Sequence, residues 1–210
     1  MNAMENVKKT SGFAGISREI QTELLRKSIH MLIGLVPLMA RFNVGITLVL
    51  LGAGVLVYAY AEWCRFKGLT IPYITEITQR ASRGRDKNRI VLGPLTLAVG
   101  AMLCLLLYPS PAAAVGIYAL AFGDGLSSLV GKIFGKIKIP FTGGKTVEGS
   151  MAAFFAIFVT AWVYSGHLGL SFGVAATGML LEALPLDDLD NMVIPLGTSL
   201  AYAIGSYILT

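Results

Sequence analysis

The sequence predicts an all-α protein: a polytopic integral membrane helical bundle of about seven transmembrane helices with a cytoplasmic N-terminus. Three observations carry that reading. Of 210 residues, 55% are hydrophobic and only 14% charged, and the mean hydropathy is +0.69, whereas a soluble domain carries about 25% charged residues. Apolar runs of roughly 18 residues recur along the chain, each long enough to cross a ~30 Å hydrocarbon core as a helix. The charged residues cluster between these runs. The same features exclude a soluble globular enzyme, a disulfide scaffold, a disordered chain and an outer-membrane barrel, whose strands would be ~10 residues long and alternating.

Taken in order, residues 1–27 form a cytoplasmic, amphipathic N-terminal segment, and 28–210 form a single transmembrane catalytic domain. Spans are expected at 28–42, 44–62, 91–108, 112–131, 149–165, 168–184 and 192–209. Gly, Pro and Asn mark the tight connections Arg41-Phe42-Asn43, Tyr108-Pro109-Ser110-Pro111 and Ser165-Gly166-His167. The other connections are the loops 63–90, 132–148 and 185–191. Within the first of these, Ile71 to Ala81 has apolar residues at 71, 74 and 77, the pattern of a short interfacial helix, and Arg80 to Arg89 carries five basic residues. Cys64 and Cys104 have no metal-ligand spacing and read as packing residues. The polar, basic start and the lack of a cleavage site argue against a removable signal peptide. Of the 17 Lys and Arg, only Arg41 falls on the side of the tight turns. The positive-inside rule therefore places the other loops, the N-terminus and the functional face in the cytoplasm.

The stretch 122–150, FGDGLSSLVGKIFGKIKIPFTGGKTVEGS, carries the most chemistry. Asp124 lies about two turns inside the cytoplasmic end of its span, where an ionised carboxylate costs on the order of 3 kcal/mol unless it faces a polar cavity. Gly131 and Gly135 strip side chains from that helix end, and Lys132, Lys136, Lys138 and Lys145 follow at its rim as phosphate ligands would. Gly143 and Gly144 free the backbone to wrap an anion, Thr146 follows Lys145, and Glu148 stands at the start of the next span, positioned to hold a metal ion or cap the helix. The Gly-Lys-Thr triplet is not a P-loop, because position 139 is Ile rather than Gly and no strand precedes it.

Two further clusters fall on the same membrane face. Glu23, Arg26, Lys27 and His30 recur at i, i+3, i+4 and i+7, one face of a helix running into the first span. Glu182, Asp187, Asp188, Asp190 and Asn191 supply hard oxygen ligands suited to Mg²⁺, or simply a solvated turn.

Together these segments resemble the CTP-dependent polyprenol, dolichol and phytol kinases, integral membrane lipid kinases that include CTP-dependent diacylglycerol kinases. The matching features are E-x-x-R-K-x-x-H at 23–30, FGD at 122–124, the run at 131–150 and the acidic segment at 182–191. The central run is also similar to phosphatidate cytidylyltransferases, although their long acidic signature near the C-terminus has no counterpart here. The resemblance implies transfer of the γ-phosphoryl group of CTP to the hydroxyl of a polyprenol, dolichol, phytol or diacylglycerol. It implies Asp124, Glu148, Glu182 and Asp190 as metal ligands, with Asp124 and Glu148 the first choices for metal or base. Gly131, Lys132, Gly135, Lys136, Gly143, Gly144, Lys145 and Thr146 would cradle the nucleotide, and Arg26, Lys27 and His30 would complete the catalytic set. Mg²⁺, CTP, a lipid alcohol and the bilayer are the implied cofactor and partners, without nucleic acid. The compact form points to the cell (inner) membrane. A cytidylyltransferase making CDP-lipid is the alternative chemistry, and a small non-enzymatic transporter the alternative class. The near absence of charge in the outer halves of the spans speaks against the transporter.

Overall fold

The computed structural model describes residues 20–69, 71–81 and 89–209; the segment 1–19 and most of the basic run 80–89 lie outside the described residues. The described chain is helical almost throughout, with a lone antiparallel bridge between Lys138 and Thr146 and no strand. Helix α1 (20–31) passes through a 3-10 turn, Leu32–Leu35, into α2 (Val36–Phe42). Pro37, which has no N–H to donate, sits in the first turn of α2, where none is needed. Asn43 ends α2 and starts α3 (Val44–Phe66), accepting a hydrogen bond from Ile46 N at 2.9 Å. Short α4 (Ile74–Ala81) lies within the stretch 71–81, where a short helix is expected. Then come α5 (Gly93–Leu107) and α6 (Ser110–Tyr118), which widens into a π-helical turn, Ala119–Asp124, and continues as α7 (Gly125–Phe134). A reversing loop leads to α8 (Val147–Ser165), closed by Gly166 at φ 67°, then α9 (Leu168–Ala183) and α10 (Asp190–Leu209).

Several boundaries differ from those read off hydropathy. The first helix is already formed at residue 20, eight residues before the expected span, because the polar stripe of 23–30 is itself helical. The span expected at 112–131 is part of a run from Ser110 to Phe134, so Lys132 lies in the helix rather than in the loop that follows it. Asp124 is therefore ~15 Å from the end of that helix, deeper than two turns. The last helix starts at Asp190 rather than 192, which brings Asp190 into its first turn.

Among the described residues four helices are long and apolar enough to cross a membrane: Val44–Phe66, Ser110–Phe134, Val147–Ser165 and Asp187–Leu209; Gly93–Leu107 and Leu168–Ala183 are apolar but shorter. Ser110–Phe134 is the central one, with 67% of its apolar stretch buried against 11% for Val44–Phe66. Val115, Ile157, Val174 and Ile194 fill the space between it and α8, α9 and α10, while Ile33, Ala101, Ile117 and Leu120 fill the space toward α1 and α5. Large apolar side chains such as Val49, Leu56, Phe155 and Val163 point outward, which is the surface a bilayer wets and water does not. Close helix approach depends on missing side chains: a Cβ on Gly149 would lie 2.6 Å from Ser127 O, locking α8 against α7.

Candidate active site

The four-residue stripe on α1 faces the π turn. Lys27 forms a buried ion pair with Asp124, and His30 Nε2 lies 3.2 Å from the same carboxylate and 3.1 Å from Leu120 O. Both neighbours of Nε2 are acceptors, so that nitrogen carries the proton. Asp124 and Lys27 are 3% and 2% exposed, and a buried carboxylate is tolerated at such depth because a cation and a donor compensate it. The π turn, a register shift within Ser110–Phe134, ends on Asp124. One turn earlier on α1, Glu23 pairs with Arg26 and accepts from Lys132 Nζ at 3.0 Å. Burial pushes the Glu23 carboxyl up, but Arg26 and then Lys132 outweigh it and hold its pKa at about 2.

A second centre forms around Glu182 at the end of α9. It accepts hydrogen bonds from Ser127 Oγ at 3.0 Å and Ser150 Oγ at 3.4 Å, and Lys145 Nζ lies 3.1 Å away. Lys145 is presented by a hairpin-like loop in which Ile139 N donates to Lys145 O at 2.8 Å and Val147 N to Ile137 O at 2.9 Å. Its tip turns through positive φ at Phe141, Gly143 and Gly144, and Gly144, at φ 97°, holds a conformation that side chains resist. Thr146 then caps α8, accepting from Gly149 N at 3.2 Å.

Glu23, Asp124, Lys132, Gly143, Gly144, Lys145, Thr146, Glu182 and Asp190 line one cavity of about 420 Å³, together with Gly131, Ser127, Ser150 and Asp187. That size suits a small organic ligand. Its lining pairs cations and loop backbone with several carboxylates, a composition suited to a polyphosphate with a hard cation.

Not every residue singled out in the sequence faces this cavity. Glu148 turns away: its carboxylate accepts from Ile137 N at 3.3–3.4 Å and pins the loop to α8. Lys136 and Gly135 lie outside the lining; a Cβ on Gly135 would approach Thr146 Oγ1 to 2.7 Å, so its smallness serves packing. Arg26 and His30 line an adjoining cavity of about 250 Å³, which also touches Asp124 and Asp190. Lys27 lies behind Asp124 and lines neither.

Sequence reading gave no role to Ser127 or Ser150. Ser127 is three residues from Asp124, so its placement on one helix face was readable; its bond to Glu182, 55 residues on, was not.

The comparisons agree with the motifs. The chain is 26% identical over 216 residues to a protein of Triticum aestivum named probable phytol kinase, chloroplastic, covering 87% of this chain and 67% of the relative. It is 29% identical over 198 residues to the farnesol kinase, chloroplastic, of Arabidopsis thaliana, covering 85% and 64%. It is 33% identical over 108 residues to the phytol kinase of a Synechocystis strain, covering 46% and 45%. The chain thus spans about two thirds or less of the length of these relatives. No family model matches it, and no solved structure matches it significantly. The chain is thus similar to proteins named phytol and farnesol kinases, in line with the resemblance that its motifs carry.

Proposed function

We propose that this chain is a membrane-embedded kinase that transfers the γ-phosphoryl group of CTP to the hydroxyl of a lipid alcohol at the cytoplasmic face. The observation that carries the reading is the single cavity in which Lys132, Lys145 and the Gly143–Gly144 backbone meet Asp124, Glu182 and Asp190, in an apolar bundle related to alcohol kinases. Phosphoryl transfer asks little covalent chemistry of a protein; it asks for positioning and for cations over developing charge. Lys132 and Lys145 supply those cations, and the loop supplies N–H donors.

Among the described residues no three acidic, His or Cys side chains gather into an all-protein metal cage. Mg²⁺ in a nucleotide site needs only one or two carboxylates beside phosphate and water oxygens, a demand the lining meets. Asp124 and Glu182 are the residues that would hold it, and when bound it would neutralise charge on the β and γ oxygens. Lys27 and His30 orient the Asp124 carboxylate. The alcohol oxygen attacks the γ-phosphorus, the bond from that phosphorus to the β-bridging oxygen breaks, and CDP leaves. The hydroxyl proton passes to Asp190, which lines the cavity and has no cation at ion-pair distance among the described residues.

Seven crossings, counting 28–42 and the two shorter apolar helices, belong to the same proposal, as do a cytoplasmic N-terminus and a cell-membrane location. Charge asymmetry supports the orientation. The test uses purified protein in detergent with Mg²⁺, CTP labelled at either the γ- or the α-phosphate, and a panel of phytol, farnesol, polyprenol, dolichol, diacylglycerol and phosphatidate, the last being the acceptor a cytidylyltransferase needs. Label reaching a lipid only from the γ position is the expected result. Transfer from the α position would make the protein a cytidylyltransferase, and no transfer at all would refute both.

A further inference from the structure

We infer that the adjoining 250 Å³ cavity is the acceptor site, where the head end of a single-chain lipid alcohol lies with its hydroxyl at Asp124 and Asp190. This rests on the kinase reading and goes beyond it by assigning the place and the wall that select the acceptor.

Two cavities of different character converge on the same two carboxylates: both are lined by Asp124 and Asp190, and the second, polar at one end through Arg26, His30 and Asp188, is otherwise mostly apolar. The first is rich in charge. The second takes its walls from Ile29 of α1, Tyr58 of α3, Ile77 and Ala81 of α4, and Pro94 and Leu97 of α5. A two-substrate transfer needs this arrangement, with the acceptor oxygen and the phosphoryl donor reaching a shared point from different sides. At about 250 Å³ the chamber falls below the ~300–1,000 Å³ of sites that enclose a whole drug-sized ligand. It therefore holds the first part of a chain whose remainder stays in the bilayer, and it is narrow for the two-chain backbone of a diacylglycerol.

The polar end has a donor to spare. Arg26 lines the chamber, and its Nε is buried without a hydrogen-bond partner among the described residues, a cost that a ligand oxygen would relieve. Asn191 holds the opposite wall, donating to Gly93 O at 3.2 Å and Thr96 Oγ1 at 2.9 Å, which ties the start of α10 to α5 beside Asp190. On α4, Ile74, Ile77 and Ala81 recur at i, i+3 and i+7 and all line the chamber. Ile77 keeps 48% of its surface exposed. Helix α4, outside the polar cavity altogether, is thereby the part that measures the acceptor.

The test is photolabelling of the full-length protein in detergent with a farnesol analogue carrying a diazirine beside the hydroxyl-bearing carbon, followed by peptide mapping. Adducts on α4 and on 91–97, competed by unlabelled farnesol, are expected. Adducts confined to outward residues such as Phe155 or Val163 would overturn the inference. In parallel, Ala81→Trp should raise the KM for farnesol at least tenfold and leave the Kd for CTP within twofold, the latter showing that the protein is folded. Outward-facing Val49→Trp is the control. If the wild type phosphorylates farnesol and Ala81→Trp binds CTP yet keeps the wild-type KM, the chamber is not the acceptor site although the kinase reading stands. If the wild type phosphorylates no lipid alcohol, the kinase reading falls and takes the acceptor assignment with it.

Discussion

Replacing Lys27 with Met removes the ammonium paired with Asp124 while keeping most of the side chain's volume. Both members of the pair are at most 3% exposed, so water cannot take over solvation of the carboxylate. Breaking a buried pair from one side costs about 3–5 kcal/mol. His30 Nε2, 3.2 Å from the same carboxylate, keeps part of the compensation and places the expected cost at the lower end of that range. Removing the charge from the other side as well should recover much of it: Lys27→Met with Asp124→Asn leaves two neutral groups, and the coupling between the two changes should exceed about 1 kcal/mol. The assay is thermal unfolding of purified variants in one detergent, read by intrinsic fluorescence, with γ-phosphoryl transfer measured on the same samples. Stability should fall in each single variant and partly return in the double variant, while transfer stays lost. Equal stability in all four proteins would refute the idea that Lys27 compensates a buried Asp124 charge. Transfer surviving in the double variant would remove Asp124 from the reaction.

Lys145→Ala should lower transfer by about 10²–10³-fold, the cost of removing one donor from a developing phosphoryl charge, with the KM for CTP raised; steady-state kinetics over a CTP series reads both. Glu148→Gln should lose less than tenfold, because that carboxylate accepts from Ile137 N and does not line the cavity; a complete loss would return Glu148 to the site. The Glu23 carboxyl is held at about 2 against an ordinary 4.5, so the unfolded chain binds a proton there more readily than the folded one. Its contribution to stability is complete above pH 4.5 and fades as pH falls from 4.5 toward 2. Glu23→Gln should flatten that part of the stability-against-pH curve measured by thermal unfolding. Gly144→Ala, at φ 97°, should cost about 1–3 kcal/mol of local strain, seen as faster proteolysis of the 136–146 loop with the rest of the chain intact.

The sequence by itself determined the environment and the chemistry on offer. Apolar runs cannot be satisfied in water, and helices are the only way for most of this chain to pair its backbone in lipid, so the helical class followed from composition alone. The stripe 23–30 was readable because helical spacing puts residues three and four apart on one face, and the acidic and lysine-rich segments because charge in an apolar chain is conspicuous. Helix ends at 110, 134 and 190 were not readable, since apolar content does not mark where hydrogen bonding stops. What only the tertiary structure decided is which of these groups meet. Lys27 reaches Asp124 across 97 residues, and Ser127 reaches Glu182 across 55, contacts fixed by how α1, α7 and α9 pack and not by any local rule. The same packing turns Glu148 outward to hold its own loop, although the residues around it read as a ligand set. Charge and spacing select the groups able to bind a phosphate; the close packing permitted by Gly149 against Ser127 decides which of them point into one cavity.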